Sequence, residues 1–164
     1  MMITQSRVKE LFNYDPETGI LTNKIARGNR RGKIGDEVGS ITSHGYLDTT
    51  VAGKRCYIHR ICFLHYHGFL PKSVDHRNTN KLDNKIKNLR AATVQENNCN
   101  KVEISTNTSG HRNVYWHKAS SKWRVAVQKD GKSNHIGLYA DKSVAINAAK
   151  EARSVFFGEF ANND

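Results

Sequence analysis

The sequence predicts an α+β protein in two parts, each with a modest core. Residues 72–98 contain two short strand-like runs around a polar loop, followed by a helix-capping signal. Residues 113–139 contain three strand-like runs separated by turn residues, and an alanine-rich helical stretch follows them. We therefore expect a strand–loop–strand–helix core in the first part and a three-stranded antiparallel sheet packed on one helix in the second.

The N-terminal stretch carries local signals for short helices and hairpins. Thr4 or Ser6 can cap a helix whose apolar stripe comprises Val8, Leu11 and Phe12. A turn over residues 15–19 and a strand over residues 20–24 are predicted to follow.

A hairpin and a second helix come next. Residues 46–51 and 54–58 flank a two-residue turn and predict the hairpin. Residues 59–68 place apolar side chains at helical spacing, which predicts a helix packed behind the core.

The strand pair of the core is predicted from residues 72–92. Residues 72–75 are short and compatible with a strand whose end presents His76. Residues 77–87 are rich in Asn and Asp, whose side chains bond nearby backbone groups and favour a loop. Residues 88–92 are predicted to form the second strand.

A capping box marks the start of the helix that follows. In Thr93-Val-Gln-Glu96, the Thr hydroxyl and the Glu carboxylate can each accept a hydrogen bond from the other residue's backbone N–H. The helix is therefore predicted to begin at Val94, with Asn97 in its first turn.

Charge indicates a polyanionic partner. The formal net charge is +11, and the 26 Lys and Arg residues are spread along the chain rather than gathered in one tail. No apolar run approaches the roughly 18 residues of a transmembrane helix, and no basic amphipathic helix stands out. Nucleic acid is therefore favoured over a membrane as the partner.

The cysteines predict a reducing environment. Cys56, Cys62 and Cys99 are odd in number and lack C-x-x-C spacing, which argues against both a disulfide framework and a structural zinc site. The N-terminus lacks the apolar region of a signal peptide, so we expect a cytoplasmic protein.

Asp75 and His76 are the candidate catalytic pair. An acidic metal ligand beside a potential general base suits metal-dependent phosphodiester cleavage, which needs an activated water and neutralised phosphate charge. The alternative is that the pair only caps a turn. Together with Asn88 and Asn97, these residues resemble the HNH homing endonucleases with the ββα-metal fold, especially those carried by phages.

The resemblance implies a role for each residue of the core. Asp75 and Asn97 would hold one divalent cation, His76 would deprotonate the attacking water, and Asn88 would brace the loop that orients the imidazole. Many members carry His where this chain has Asn97; a carboxylate plus an amide oxygen favours Mg²⁺, with Mn²⁺ able to substitute, over Zn²⁺. His59 is expected to be structural or to contact phosphate.

The second part predicts three strands and a capped helix. The strand-like runs are residues 113–117, 122–129 and 134–139, with turns over residues 118–121 and 130–133. Asp141 is predicted to cap the helix. The helix face expected to be buried comprises Val144, Ala145, Ala148, Ala152 and Val155.

Residues 108–161 resemble the Apetala-type DNA-binding domain of plant ethylene-responsive factors, which also occurs fused to phage HNH nucleases. In the plant domain the sheet lies in the major groove. Carried over by position, the DNA-facing residues here are Arg112, Tyr115, His117, Arg124, Gln128, Ser133 and His135. Several plant arginines are absent, so the plant target sequence does not carry over. Arg60, Arg90 and Lys129 are predicted as further DNA contacts.

These expectations combine into one hypothesis. Residues 1–101 form the lead-in and HNH core, residues 102–110 a linker, and residues 111–164 the second domain. The protein is expected to cleave double-stranded DNA at a preferred site with Mg²⁺, with a monomer favoured and nicking left open against double-strand cleavage. One alternative is a DNA-binding regulator with an idle nuclease core. A basic RNA-binding module is less favoured, because neither an aromatic stacking platform nor a GXXG loop is evident.

Overall fold

The computed structural model describes residues 3–27, 32–100 and 107–163 and divides into two compact units, Met1–Asn97 and Asn98–Asp164. Residues 101–106, which include most of the predicted linker, lie outside the described residues. None of the helices in the described ranges is long and apolar enough to span a bilayer.

The first unit is built from short helices and two- or three-stranded antiparallel sheets. Its elements in chain order are α1 (Gln5–Leu11), β1 (Phe12–Tyr14), β2 (Leu21–Asn23), β3 (Ser40–Ile41), β4 (Leu47–Val51), β5 (Lys54–Tyr57), α2 (Ile58–His67), β6 (Ser73–His76), β7 (Leu89–Ala92) and α3 (Val94–Cys99), which contains the division point. The sheets are β1–β2, β3–β4–β5 and β6–β7. One turn of 3₁₀ helix, Ile86–Asn88, precedes β7.

The N-terminal helix ends one residue earlier than the sequence predicted. The Thr4 hydroxyl caps it by accepting a hydrogen bond from the Arg7 backbone N–H. Phe12 has extended φ and ψ angles, pairs with Asn23 in the β1–β2 ladder and is fully buried. Its apolar side chain therefore reaches the core from a strand, not from the predicted helical stripe.

The core of the first unit gathers around α2. This helix ends at Gly68, which has a left-handed φ of 81° and donates its N–H to the Leu64 carbonyl. The buried residues of this core are Val8, Leu11, Phe12, Leu21, Val51, Ile58, Ile61, Cys62, Phe63, Leu64, Val74 and Leu89. Val74 and Leu89 anchor β6 and β7 to it, so the strand pair has a fixed support.

The strand–loop–strand–helix order is confirmed. β6 and β7 pair antiparallel across the polar loop, with Asp75 opposite Arg90 and His76 opposite Leu89. The capping box forms as predicted, because the Thr93 N–H donates to the Glu96 carboxylate over 2.7 Å and the Glu96 N–H donates to the Thr93 hydroxyl over 3.2 Å.

The second unit is a three-stranded antiparallel sheet packed on one helix, as predicted. Its elements are β8 (Val114–His117), β9 (Lys122–Lys129), β10 (Lys132–Tyr139) and α4 (Lys142–Phe157), and the sheet order is β10–β9–β8. The β9–β10 turn is only Asp130-Gly131, both at positive φ, which suits a tight hairpin. Lys132 and Ser133, predicted in this turn, already pair with β9.

The buried face of α4 differs from the predicted face. Asp141 caps the helix by accepting the Val144 N–H, but Val144 and Val155 are exposed. The residues that α4 buries are Ala145, Ala149, Ala152 and Arg153. Small alanine side chains let the helix backbone approach the sheet closely. The close packing that results stabilises this orientation of α4 more than burying Val144 and Val155 would.

Candidate active site at the end of strand β6

Asp75 and His76 end β6 and are both buried, each 4% exposed. Successive side chains on a strand point to opposite faces, so Asp75 shares a face with Ser73, and His76 shares the other face with Val74. The two candidate catalytic residues therefore have different neighbours.

The Asp75 carboxylate binds the guanidinium of Arg90 on β7. Asp75 Oδ2 accepts from Arg90 Nε over 2.8 Å, and Arg90 Nη2 lies 2.7 Å from the same oxygen. Both side chains are 5% exposed. Arg90, predicted to contact DNA, thus lies inside the site and neutralises Asp75.

The His76 imidazole is held by Asn84. His76 Nε2 lies 3.1 Å from Asn84 Oδ1, while Asn84 Nδ2 donates to the Leu82 carbonyl over 3.4 Å. The donation to Leu82 turns the amide oxygen toward the ring, and this oxygen favours the His76 tautomer with the proton on Nε2. Burial lowers the pKa of His76 below its usual value, which outweighs the opposing effect of the Asn84 hydrogen bond and keeps the ring neutral at pH 7.

Asn88 ties the two ends of the polar loop together. Its Oδ1 accepts from the Asn78 backbone N–H over 3.0 Å, and its Nδ2 donates to the Asp83 carbonyl over 2.7 Å. The observed contacts place Asn88 on the loop backbone and Asn84 on the imidazole. Sequence reasoning missed Asn84, since the loop contains several Asn residues and nothing local separates them.

Asn97 lies beside the Asp75 face of β6. Its Nδ2 donates to Ser73 Oγ over 3.0 Å, and Ser73 projects from the same strand face as Asp75. The oxygens of one carboxylate and one amide form a hard donor set, which suits Mg²⁺ or Mn²⁺ because these ions keep several waters and need few protein ligands. No cluster of three or more His, Cys, Asp or Glu ligands occurs within the described ranges.

Aromatic rings surround His76. The centroid of the His59 ring lies 5.0 Å and that of Tyr46 lies 6.0 Å from the His76 ring, and Tyr57 stacks on His59 at 5.5 Å. Burial, then the nearby His76 and Arg60, lower the pKa of His59 to about 3. His59 therefore forms a neutral, buried wall of the site.

Arg60, predicted to contact DNA, binds the backbone that leads into β6. Its two terminal nitrogens donate to the carbonyls of Pro71 and Lys72 over 3.3 and 3.2 Å. At the exposed rim, the Lys81 ammonium lies 4.9 Å from the Tyr46 ring centroid and donates to the His44 carbonyl. Lys81 supplies positive charge close to the catalytic pair.

In the second unit, six of the predicted DNA-facing residues share the sheet face opposite α4. Tyr115 pairs with Arg124, which pairs with Leu138, and Gln128 pairs with Ser133. Paired residues on adjacent strands project to one face. With His117 and His135, which pair with Lys122 and Ala126, they form the outer face: Tyr115, His117, Lys122, Arg124, Ala126, Gln128, Ser133, His135 and Leu138.

A β-bulge shapes this outer face. The register shifts between His135 and Gly137, which leaves Ile136 as an extra residue in β10. Ile136 packs on the α4 side, while His135 and Leu138 both reach the outer face. Strict alternation along β10 would have put these two residues on opposite faces.

Two predicted contacts lie elsewhere. The Lys129 ammonium donates to the Phe156 carbonyl near the C-terminal end of α4 over 2.7 Å, so Lys129 binds the helix. Arg112 precedes β8, and its carbonyl accepts a hydrogen bond from Arg153.

Comparisons with known proteins point to nucleases for the first unit. Residues 56–99 match the HNH endonuclease family. Protein 3.8 of Escherichia phage T7 is 35% identical over 71 residues, 42% of this chain and 59% of the phage protein. An uncharacterized HNH endonuclease of Acanthamoeba polyphaga mimivirus is 33% identical over 120 residues, 71% of this chain and 61% of the viral protein. The chain thus spans about three fifths of the length of these relatives.

A solved structure described as DNA binding and cleavage by the HNH homing endonuclease I-HmuI is similar at 21% identity and a TM-score of 0.42, covering 83% of this chain and 75% of that one. The family match contains β6, the polar loop, β7 and α3 and ends at residue 99. The three-stranded sheet lies outside it.

Proposed function

We propose that this chain is a divalent-metal-dependent HNH endonuclease that hydrolyses phosphodiester bonds of double-stranded DNA. The observation that carries the proposal is the Asp75–His76 pair at the end of β6, inside the segment that matches HNH endonucleases. The pair offers a carboxylate ligand and a neutral imidazole at adjacent positions.

His76 serves as the general base through Nδ1. Asn84 Oδ1 accepts a hydrogen bond from Nε2–H, so Nδ1 is the nitrogen that would take the proton from water. As the ring becomes positive, the hydrogen bond from Nε2–H to the Asn84 oxygen strengthens and stabilises the charge. Asn88 keeps the loop that carries Asn84 closed.

Asp75 and Asn97 would hold the cation. When bound, Mg²⁺ or Mn²⁺ neutralises charge on the phosphate and stabilises the leaving 3′ oxygen. Arg90 keeps the Asp75 carboxylate oriented and offsets the cost of burying it.

The outer face of the second unit extends the DNA contact. It groups one arginine, two histidines, a glutamine and a tyrosine on a sheet, and the whole chain is strongly basic. As in the Apetala-type domain that this part resembles, the sheet would enter the major groove and bias cleavage toward a preferred site. The relative in phage T7 is consistent with a phage enzyme working in the cytoplasm of its bacterial host.

The second candidate function is a DNA-binding regulator with an idle nuclease core. The Asp75–Arg90 ion pair favours it, because both charges are satisfied inside the protein. A regulator would bind duplex DNA and leave it intact.

Cleavage of supercoiled plasmid tests the proposal. We expect open-circular product with Mg²⁺ or Mn²⁺ and none with EDTA, and linear product where both strands are cut.

The His76→Ala variant tests the assigned base. Its cleavage rate should fall at least about 100-fold, the usual contribution of a general base, while its DNA affinity, measured in Ca²⁺, should not change. His67→Ala is the control, since His67 is exposed and packs only on Phe63, Tyr66 and Phe69 among the ring contacts of the described chain. Intact plasmid with retained binding would favour the regulator, and wild-type cleavage by His76→Ala would contradict the assigned base.

A further inference from the structure

We propose that the β1–β2 turn together with the last residue of β1 (residues 14–20), which lies outside the HNH match, positions the catalytic imidazole by fixing the backbone of Asn84. The inference rests on the proposed function, because it assigns the general base to His76. Tyr14 and Gly19 are the positioning residues, and neither touches the reacting atoms.

The first contact is a hydrogen bond from the strand that enters the turn. Tyr14 ends β1, and its hydroxyl donates to the Asn84 carbonyl over 2.7 Å. The Tyr14 ring also packs edge-on against His65 of α2, with 5.8 Å between centroids. The contact with His65 fixes the position of the Tyr14 ring and therefore of its hydroxyl.

The second contact lies two residues further along the polar loop. The Ile86 backbone N–H donates to the Pro16 carbonyl over 3.0 Å. The Tyr14 bond holds the carbonyl of the peptide that joins Asn84 to Lys85, and the Pro16 bond holds the N–H of the next peptide.

The third contact is a direct approach of backbone to backbone. Gly19 has a φ of +79°, and a Cβ built on it would lie 2.5 Å from Lys85 N and 2.7 Å from the Asn84 carbonyl carbon. These distances are far below van der Waals contact, so only glycine allows the turn to rest on this peptide.

The three contacts converge on the residue that holds the base. The Asn84 carbonyl is fixed by Tyr14, its Nδ2 donates to Leu82, and its Oδ1 accepts from His76 Nε2. A shift of the 84–85 peptide would carry this amide with it. The expected result is a misplaced or reoriented imidazole in a protein that otherwise still binds DNA.

Two variants and two matched controls test this role. Tyr14→Phe removes the hydroxyl, and Tyr66→Phe is its control on the exposed side of α2. Gly19→Ala pushes the turn off the 84–85 peptide. Gly53→Ala is its control, because Gly53 has nearly the same φ, +78°, with no atom within 4 Å of the added Cβ.

The kinetic readout is the single-turnover cleavage rate at saturating DNA, with the dissociation constant measured separately in Ca²⁺. We expect a loss of about 10-fold for Tyr14→Phe and about 100-fold for Gly19→Ala, the scale set by a misplacement of about 1 Å. The dissociation constant for DNA should stay within about twofold of wild type, because neither variant is expected to remove a hydrogen bond to DNA. The control variants should cleave at the wild-type rate.

The second readout does not depend on cleavage. The ¹⁵N chemical shifts of the His76 ring in DNA-free protein report which nitrogen is protonated. We expect an Nε2–H ring in wild type, and altered shifts in Tyr14→Phe and Gly19→Ala but not in the controls. Should Gly19→Ala fail to fold, Tyr14→Phe decides the matter. Wild-type rates and unchanged His76 shifts in folded Tyr14→Phe would overturn the inference.

The two proposals fail differently. Wild-type protein without nuclease activity would end the proposed function, while the His76 shifts would still show whether the turn positions the ring. Cleavage by the wild type together with unaffected variants would leave the proposed function intact and remove the role of the turn.

Discussion

At the scale of single residues, the Asp75–Arg90 pair is the most consequential contact of the site. Both side chains are 5% exposed, and two nitrogens of Arg90 lie within 2.8 Å of one carboxylate oxygen. A buried pair adds little net stability when intact, but losing one partner leaves an uncompensated charge in a low dielectric. The positive charge of Arg90 thus stabilises the buried Asp75 carboxylate in the absence of a metal ion.

Arg90→Met should lower the free energy of unfolding by about 3–5 kcal/mol, because the buried Asp75 carboxylate would lose the guanidinium charge that faces it. Mg²⁺ should restore part of this loss by neutralising the same carboxylate. Thermal unfolding with and without Mg²⁺ measures both effects. Arg7→Met is the control, since Arg7 binds Glu10 with the two side chains 53% and 61% exposed; it should cost at most about 1 kcal/mol and show no Mg²⁺ effect. Mg²⁺-independent stability of Arg90→Met would argue against Asp75 as a cation ligand.

His59 should make the first unit sensitive to acid. Its pKa is about 3 in the folded state against a usual 6.5, so the unfolded chain binds more protons between these values. Stability is then complete above pH 6.5 and falls as the pH is lowered toward 3. At pH 5.5, one unit below the usual pKa, the loss from His59 alone is about 1.4 kcal/mol.

His59→Phe should remove this part of the pH dependence and keep a ring for Tyr57 to stack on. The measurement is denaturant unfolding of both proteins at pH 8 and pH 5.5. His76, whose pKa burial also lowers, contributes in the same direction in both proteins. The wild type should therefore lose more stability than the variant on acidification; equal losses would show that His59 is protonated at little cost.

At the scale of elements, two basic residues that the sequence predicted as DNA contacts lie on opposite faces of the sheet in the second unit. Arg124 is exposed at the centre of that face, between Tyr115 and Leu138. Lys129 points to the other face and binds the last turn of α4, where a cation stabilises unpaired carbonyls.

Arg124→Ala should weaken binding to a preferred duplex more than to a scrambled one, by about 1–3 kcal/mol, because an arginine can bond a guanine edge with two hydrogen bonds. Lys129→Ala should instead lower stability by about 0.3–1 kcal/mol with little effect on specificity. The preferred duplex is selected from a randomised pool by the wild-type protein, and both variants are titrated across a salt series. Equal weakening of both duplexes by Arg124→Ala would reduce the sheet to a phosphate clamp.

Local chemistry made most elements predictable. The capping box at Thr93, the Asp141 cap and the Asp130-Gly131 turn are each fixed by residues within a few positions, and each element was found with small shifts of its ends. The Asp75–His76 pair could be predicted as a site because the two residues are adjacent in sequence.

Long-range contacts account for what the sequence could not predict. Asn84 meets His76 through the fold of a loop with several equivalent Asn residues, and Gly19 meets Lys85 across 66 positions of sequence. Apolar spacing in α4 allowed more than one stripe, and the close approach of its alanines to the sheet selected the one that is buried. Such choices depend on which surfaces meet, and no local pattern carries that information.

At the scale of the whole molecule, each unit has a separate buried core. One core gathers around α2, and the other comprises Val114, Val125, Ala145 and Ala149. The candidate catalytic and metal-binding residues all lie in the first unit, which ends at Asn97. The outer face lies in the second unit. This division allows catalysis and site choice to be measured separately.

A fragment of residues 1–101 should retain the metal-dependent cut and lose affinity and site choice, because it keeps Asp75, His76 and Asn97 but lacks the outer face. Its binding should depend less steeply on salt, since the slope of log affinity against log salt falls by about 0.9 for each phosphate contact removed. A fragment of residues 107–164 should bind duplex without cutting it. Circular dichroism first confirms that each fragment folds, and plasmid cleavage and salt-dependent titration then follow. Full site preference in a folded 1–101 fragment would mean that the first unit selects the site and that the sheet serves another purpose.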